Sequence, residues 1–193
     1  MEDVNIIVGR FQPLTNGHLR CAREVYKATG NRTVLLVIET TKPDDRHPFR
    51  TSDLARLLTD TCKNTDYLAG WILVKNADIV KNAELLRASG YNPVSWSCGT
   101  DRYQSYSKMV ERYKDKAGLP DDFHVIEIHR TDDDISATKV RQYISDGNKI
   151  KYRASVPGHW KNDFEYLRDL MMDITECRMI SLSTFLSDLL IHS

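Results

Sequence analysis

The 193-residue sequence is poor in cysteine, and none of its four (Cys21, Cys62, Cys98, Cys177) stands in a Cys-x-x-Cys pair. A disulfide framework and a structural zinc site both lack the ligand pattern they need. The thiols therefore read as buried or incidental side chains of a reducing compartment. A charge surplus of one sign is missing too. Lys plus Arg and Asp plus Glu come to 27 each, so no global field draws the chain to nucleic acid or an acidic membrane. No apolar run approaches the roughly 20 residues that span a bilayer. The start Met1-Glu2-Asp3 is acidic and enters a strand at once, unlike a secretory signal. Internal repeats and low-complexity linkers are absent as well. What remains is a cytoplasmic globular chain with an ordinary apolar share of 41%, long enough to bury a real core.

Short apolar, β-branched runs alternate with segments of helical spacing. Strands are expected at Val4–Val8, Thr33–Ile38, Trp71–Val74, Val94–Cys98 and His124–Ile128. Helices are expected from Asn16 to about Thr29 (with Gly30 as the stop), from a cap at Thr51 or Ser52 to Lys63, from Asn82 to Ala88, from Arg102 to Lys116, and from a cap at Ser136 to Ser145. The polar stretch Thr40 to Arg50 reads as a loop. This alternation predicts an α/β fold, a Rossmann-like, doubly wound sheet of five parallel strands with right-handed crossovers. Ligands of such sheets bind beyond the carboxyl ends of the strands, where the strand order reverses. The turns at Gly9, Gly99 and Asp134 all follow such ends. Residues 1–149 are expected to form this domain and 150–176 a helical extension. The tail 177–193 is more apolar than a free tail, so it would cover the core or a second subunit of a homo-oligomer.

Gly9-Arg10-Phe11-Gln12-Pro13-Leu14-Thr15-Asn16-Gly17-His18 is a strand end, a turn and a helix start with a histidine in its first turn. Such a turn brings backbone N–H groups to an anion, and the helix N-terminus adds roughly half a positive charge. Far downstream, Ile135-Ser136-Ala137-Thr138-Lys139-Val140-Arg141 has the same ingredients, with Arg141 three residues from Thr138 and so on its face. Two such parts suit a nucleoside triphosphate.

Thr15-Asn16-Gly17-His18 and Ile135 to Arg141 resemble the two motifs of the His/Thr-x-Gly-His nucleotidyltransferase superfamily, the cytidylyltransferase-like proteins, over about residues 4 to 146. Gly9-Arg10-Phe11-Gln12-Pro13 is similar to the spelling in nicotinamide-mononucleotide adenylyltransferases, and Thr-Asn-Gly-His to that in phosphopantetheine adenylyltransferases. The resemblance implies transfer of AMP from Mg-ATP to a small phosphorylated acceptor, with pyrophosphate released. Nicotinamide mononucleotide, giving NAD, is the first acceptor implied. Phosphopantetheine and a cytidylyltransferase reaction are the rivals, and a nucleotide-binding regulatory module without turnover is the reading of another class.

The resemblance also implies roles. His18 would contact the phosphates and stabilise developing charge, and Arg141 would pair with the outer phosphates. Thr15 stands at the motif's first histidine position, where a hydroxyl can bond a phosphate oxygen but carries no charge. Arg10 would reach a phosphate, with Gly9, Phe11 and Gln12 lining the turn; a core plug is the other reading of Phe11. Gly17 would let the helix start press on the nucleotide. Ser136 and Thr138 would bind outer phosphates, Ser136 also as a helix cap. Gly99 and Asp101 resemble a Gly-x-Asp turn whose carboxylate meets a ribose hydroxyl. Arg46, Arg50 and Arg56 lie in a segment similar to Asn-Pro-Phe-(Ser/Thr)-x-x-Glu-Arg and suit a phosphorylated acceptor, although His47 replaces the asparagine and Arg56 falls two residues late. No protein metal site is implied: Asp132, Asp133 and Asp134 read as a solvated acidic turn, and Mg2+ would arrive on the triphosphate. Of Trp71, Trp96 and Trp160, at least two are expected in the core.

Overall fold

A computed structural model describes residues 1–129 and 135–174 of the chain. Strand β1 (Glu2–Gly9) occupies the middle of a five-stranded parallel sheet of order β3-β2-β1-β4-β5, the others being β2 (Arg32–Ile38), β3 (Leu68–Val74), β4 (Tyr91–Gly99) and β5 (His124–Ile128). A strand covered on both faces must be apolar on both. Val4 and Ile6 point to one layer and Ile7 to the other. The exception is Asn5, which is fully buried. Its amide donates to Thr33 Oγ1 at 3.1 Å and accepts from Ser95 and Ser97 at 2.9 and 2.7 Å, so the polar group is satisfied inside the sheet.

Helices α1 (Asn16–Thr29) and α2 (Thr51–Lys63) pack against Ile7, Leu35 and Val37 on one face. On the other, α3 (Ile79–Ala88) and α4 (Thr100–Tyr113) cover Ile6, Val34, Leu36 and Trp96. The winding direction thus reverses between β1 and β4, and the crevice beyond Gly9 and Gly99 is the switch point. The chain then returns to the first face with α5 (Ala137–Ser145), α6 (Lys149–Ser155), a 3₁₀ turn (Gly158–Trp160) and a helix over 164–174, here α7. Tyr152, Trp160 and Leu167 are fully buried there. Trp160 Nε1 donates to Thr61 Oγ1 of α2 at 2.8 Å, and the Tyr152 hydroxyl donates to the Trp160 carbonyl at 2.6 Å.

Both ends of α1 match the sequence reading. Thr15 caps its start, and Gly30, at φ 76°, closes its end with a bond from its N–H to Tyr26 O. Three helix starts differ. α3 begins three residues early because the Asp78 carboxylate caps Val80 and Lys81, a signal masked by the apolar Ile79-Val80. The cap of α2 falls at Arg50, because the Thr51 hydroxyl is taken by the Thr40 N–H at 2.8 Å. α4 follows Gly99 with no intervening loop. The acidic turn Asp132–Asp134 and the tail with Cys177 lie outside the described residues. No helix among the described residues is long and apolar enough to cross a membrane.

Candidate active site

The turn after β1 is built around a buried ring. Phe11 holds the left-handed backbone region at φ 50°, which a non-glycine residue adopts only when its surroundings demand it. Its ring sits over Gly9, where an added Cβ would lie 3.3 Å from ring carbons. The same ring meets His18 edge-on, with centroids 5.1 Å apart at 76°. Phe11 is therefore both core plug and backing for the histidine. It also explains why position 9 is a glycine.

Thr15 and His18 form a capping box. The Thr15 hydroxyl accepts from the His18 N–H, and the Thr15 N–H donates to His18 Nδ1 at 3.0 Å. The Thr15 Oγ1 also lies 3.0 Å from Nδ1. An Nδ1 that accepts from a backbone amide carries no proton, so the network assigns the ring proton to Nε2. Thr15 is buried and spends its hydroxyl on fixing this ring and its tautomer.

Gln12 likewise faces inward. Its amide donates to Phe49 O at 2.6 Å and accepts from Phe49 N at 3.0 Å, clamping the end of the Thr40–Arg50 loop. Arg10 Nη1 donates to Glu39 O at 3.1 Å and to Thr40 Oγ1 at 3.2 Å, at the carboxyl end of β2. Thr40 is buried and also receives the Gln12 amide, which makes it a hub of the turn. No sequence signal marks it.

The second motif docks on the first. Ser136 caps α5 by accepting from Lys139 N at 3.2 Å. Arg141 Nη2 donates to Thr138 Oγ1 at 3.1 Å, and Nη1 donates to Gln12 O at 2.6 Å across 129 residues of sequence. Burial pulls this guanidinium below its ordinary pKa, with the charge of Asp44 acting in the opposite sense. A reciprocal tie runs the other way, from Arg20 Nη2 in α1 to His129 O after β5, at 2.9 Å. Sequence reasoning missed Arg20. The second motif is thus bonded to the backbone of the first, and α1 to the chain just after β5, and the product is a half-buried cationic cradle of helix N-termini, hydroxyls and a guanidinium, able to hold a polyanion.

The remaining expected residues divide. Gly99 caps α4, and Asp101 is exposed in its first turn with Arg102 Nε 3.6 Å away. Arg46 and Arg50 are exposed. Arg50 lines a cavity of about 340 Å³ together with Glu39, Thr40, Thr51, Trp71 and Leu73. Arg56, expected beside them, instead pairs with Asp163 at 2.5 Å and with Asp60 at 3.8 Å. Trp96, stacked on Tyr106, and Trp160 are core. Trp71 reaches the cavity, with its Nε1 donating to Thr59 Oγ1.

The cytidylyltransferase-like family matches residues 6–143, and the chain belongs to it, within the nucleotidyltransferases. Similar solved structures include Plasmodium falciparum nicotinic acid mononucleotide adenylyltransferase complexed with NaAD, at 15% identity and TM-score 0.57 over 88% of this chain and 98% of that one. The same enzyme complexed with APC gives 12% identity and TM-score 0.53, over 91% and 96%. Thermotoga maritima TmcAL bound with alpha-thio ATP gives 13% and 0.54, over 91% of this chain and 56% of that one. At these identities the likeness shows the fold. Among curated proteins, none matches by sequence.

Proposed function

We propose that this nucleotidyltransferase moves AMP from Mg-ATP to nicotinamide mononucleotide, giving NAD and pyrophosphate. The observation that carries the triphosphate half is the 2.6 Å bond from Arg141 to the Gln12 carbonyl, which joins the two motifs into one cradle. An oxygen of the acceptor phosphate attacks the α-phosphorus, and the bond from that phosphorus to the β-phosphate oxygen breaks. The attacker is already an anion, so alignment and neutralisation of growing charge are the tasks left to the protein. His18 supplies an Nε2–H donor whose tautomer Thr15 fixes, and Arg141, anchored on Gln12 O and Thr138 Oγ1, turns its charge and remaining N–H groups to the outer phosphates. Ser136 and Thr138 add donors at the start of α5. Gly9 and Gly17 shape the turn, Arg10, expected at a phosphate, braces the turn on Glu39 and Thr40 through Nη1, and Asp101 meets the ribose. Magnesium comes with the triphosphate, since the cradle residues are cations and hydroxyls rather than carboxylates.

The cavity beside Arg50 supports the acceptor half. It joins a cation, hydroxyls and an indole, which is the chemistry of a phosphorylated ring compound. The solved nicotinic acid mononucleotide adenylyltransferase of the same fold supports a pyridine nucleotide. Phosphopantetheine is the second reading, favoured by Thr15-Asn16-Gly17-His18. The test crosses ATP and CTP with nicotinamide mononucleotide, nicotinic acid mononucleotide and phosphopantetheine and measures pyrophosphate. Release that needs ATP and a pyridine mononucleotide is expected; release only with phosphopantetheine promotes the rival, and none with any pair leaves the regulatory module.

A further inference from the structure

Three groups of the C-terminal helical segments reach the two helix starts that border the crevice. The Ala154 carbonyl at the end of α6 accepts from Asn16 Nδ2, at the first residue of α1, at 3.0 Å. The Asp163 carboxylate, only 15% exposed, holds Arg56 Nη2 at 2.5 Å. The Tyr166 hydroxyl donates to the Asp53 carbonyl at 3.1 Å, and the Asp53 carboxylate in turn accepts the Arg50 N–H at 3.0 Å. With Trp160 on Thr61, α2 is gripped at its first, second and last turns from one neighbouring segment.

Much of this contact lies at the surface. A surface ion pair and a single hydroxyl bond add little to stability, yet the hydroxyl bonds the first turn of α2, at whose cap Arg50 stands, and the ion pair holds the turn after it. We propose that Asp163 and Tyr166 are positioning residues for the acceptor, fixing the first turn of α2 so that Arg50 stays over the cavity floored by Trp71. The inference rests on the reading of that cavity as the acceptor side. It also gives Arg56 a role: the arginine reaches the acceptor through α2, as the anchor that Asp163 holds. A misplacement of about 1 Å at a positioning helix is enough to weaken an aligned substrate.

The test is made on the full chain with Asp163→Asn and Tyr166→Phe, singly and together. Asn preserves a good cap for α7, and Phe preserves the ring's packing. For the double variant we expect KM for nicotinamide mononucleotide to rise about two- to threefold, no more than the loss of Arg50 itself would cost, since the pair acts through that exposed cation. KM for ATP should hold and the melting temperature should stay within about 2 °C. Hydrogen exchange at the Thr51 and Asp53 amides should quicken. Parental exchange rates with parental KM values overturn the positioning role, as does a joint rise of both KM values with a fall in melting temperature. Arg50→Ala tests the underlying reading separately: a parental KM for nicotinamide mononucleotide there overturns the acceptor side. Should the parent protein turn over no nicotinamide mononucleotide, that acceptor is lost, and the exchange rates at Thr51 and Asp53 alone judge the positioning role.

Discussion

The turn Gly9–His18 and the segment Arg46–Arg56 border the same crevice but are held in different ways. In the turn, Phe11, Gln12, Leu14 and Thr15 are buried, and the polar groups of Gln12 and Thr15 are bonded within the protein. In the segment, the Arg46 and Arg50 side chains stand in solvent, and Arg56 is secured from outside by Asp163. A group that must stabilise charge at the reacting phosphorus benefits from being rigid beforehand, because no reorganisation remains to be done during reaction. A group that recognises the rest of an acceptor tolerates more freedom. The proposed function thus assigns chemistry to the buried turn and recognition to the exposed segment.

The sharpest way to break this comparison is His18→Ala, for which we predict a fall in turnover of about a hundredfold or more, the scale of losing one preorganised donor. Steady-state pyrophosphate release measures it, and a variant as fast as the parent removes the histidine from the chemistry. Next is Arg141→Lys, which keeps the charge but loses the fork that spans Gln12 O and Thr138 Oγ1. A loss of about tenfold in kcat/KM for ATP is expected, since a single ammonium cannot replace two directed donors. Arg23→Lys, at an exposed ion pair with Glu24, serves as the silent control.

Gln12→Ala tests rigidity itself. It strands the buried N–H and C=O of Phe49, so unfolding free energy should drop by about 1–3 kcal/mol, read from denaturant midpoints. A neutral effect would mean that the turn does not need its clamp. Smaller still is Arg50→Ala: KM for the acceptor should rise about threefold, with stability unchanged, as an exposed cation contributes roughly 1 kcal/mol or less. Equal effects of Gln12→Ala and Arg50→Ala on stability would erase the distinction between the regions.

Much of this was legible along the chain because the signals are local. The start of α1 at Asn16, the stop at Gly30, the strand His124–Ile128 and the cap at Ser136 each depend on a few neighbouring residues, and each stands where the spacing puts it. The early start of α3 was not legible, because an aspartate before an apolar pair reads as loop until its carboxylate is seen over Val80 and Lys81. Asn5 was hidden inside an apolar run, its three partners 28, 90 and 92 residues away.

By itself the sequence determined the alternation of strands and helices and the two helix starts, at Asn16 and after Ser136, that carry the motifs, because periodicity and capping act over one or two turns of chain. Which arginine does what was decided only in three dimensions. Arg141 and Arg56 look equally basic on paper, yet one is drawn over the first motif by a carbonyl 129 residues away and the other is tied to a carboxylate 107 residues away. A long cationic side chain takes its role from the acceptor within its reach, and only the packed sheet brings that acceptor there.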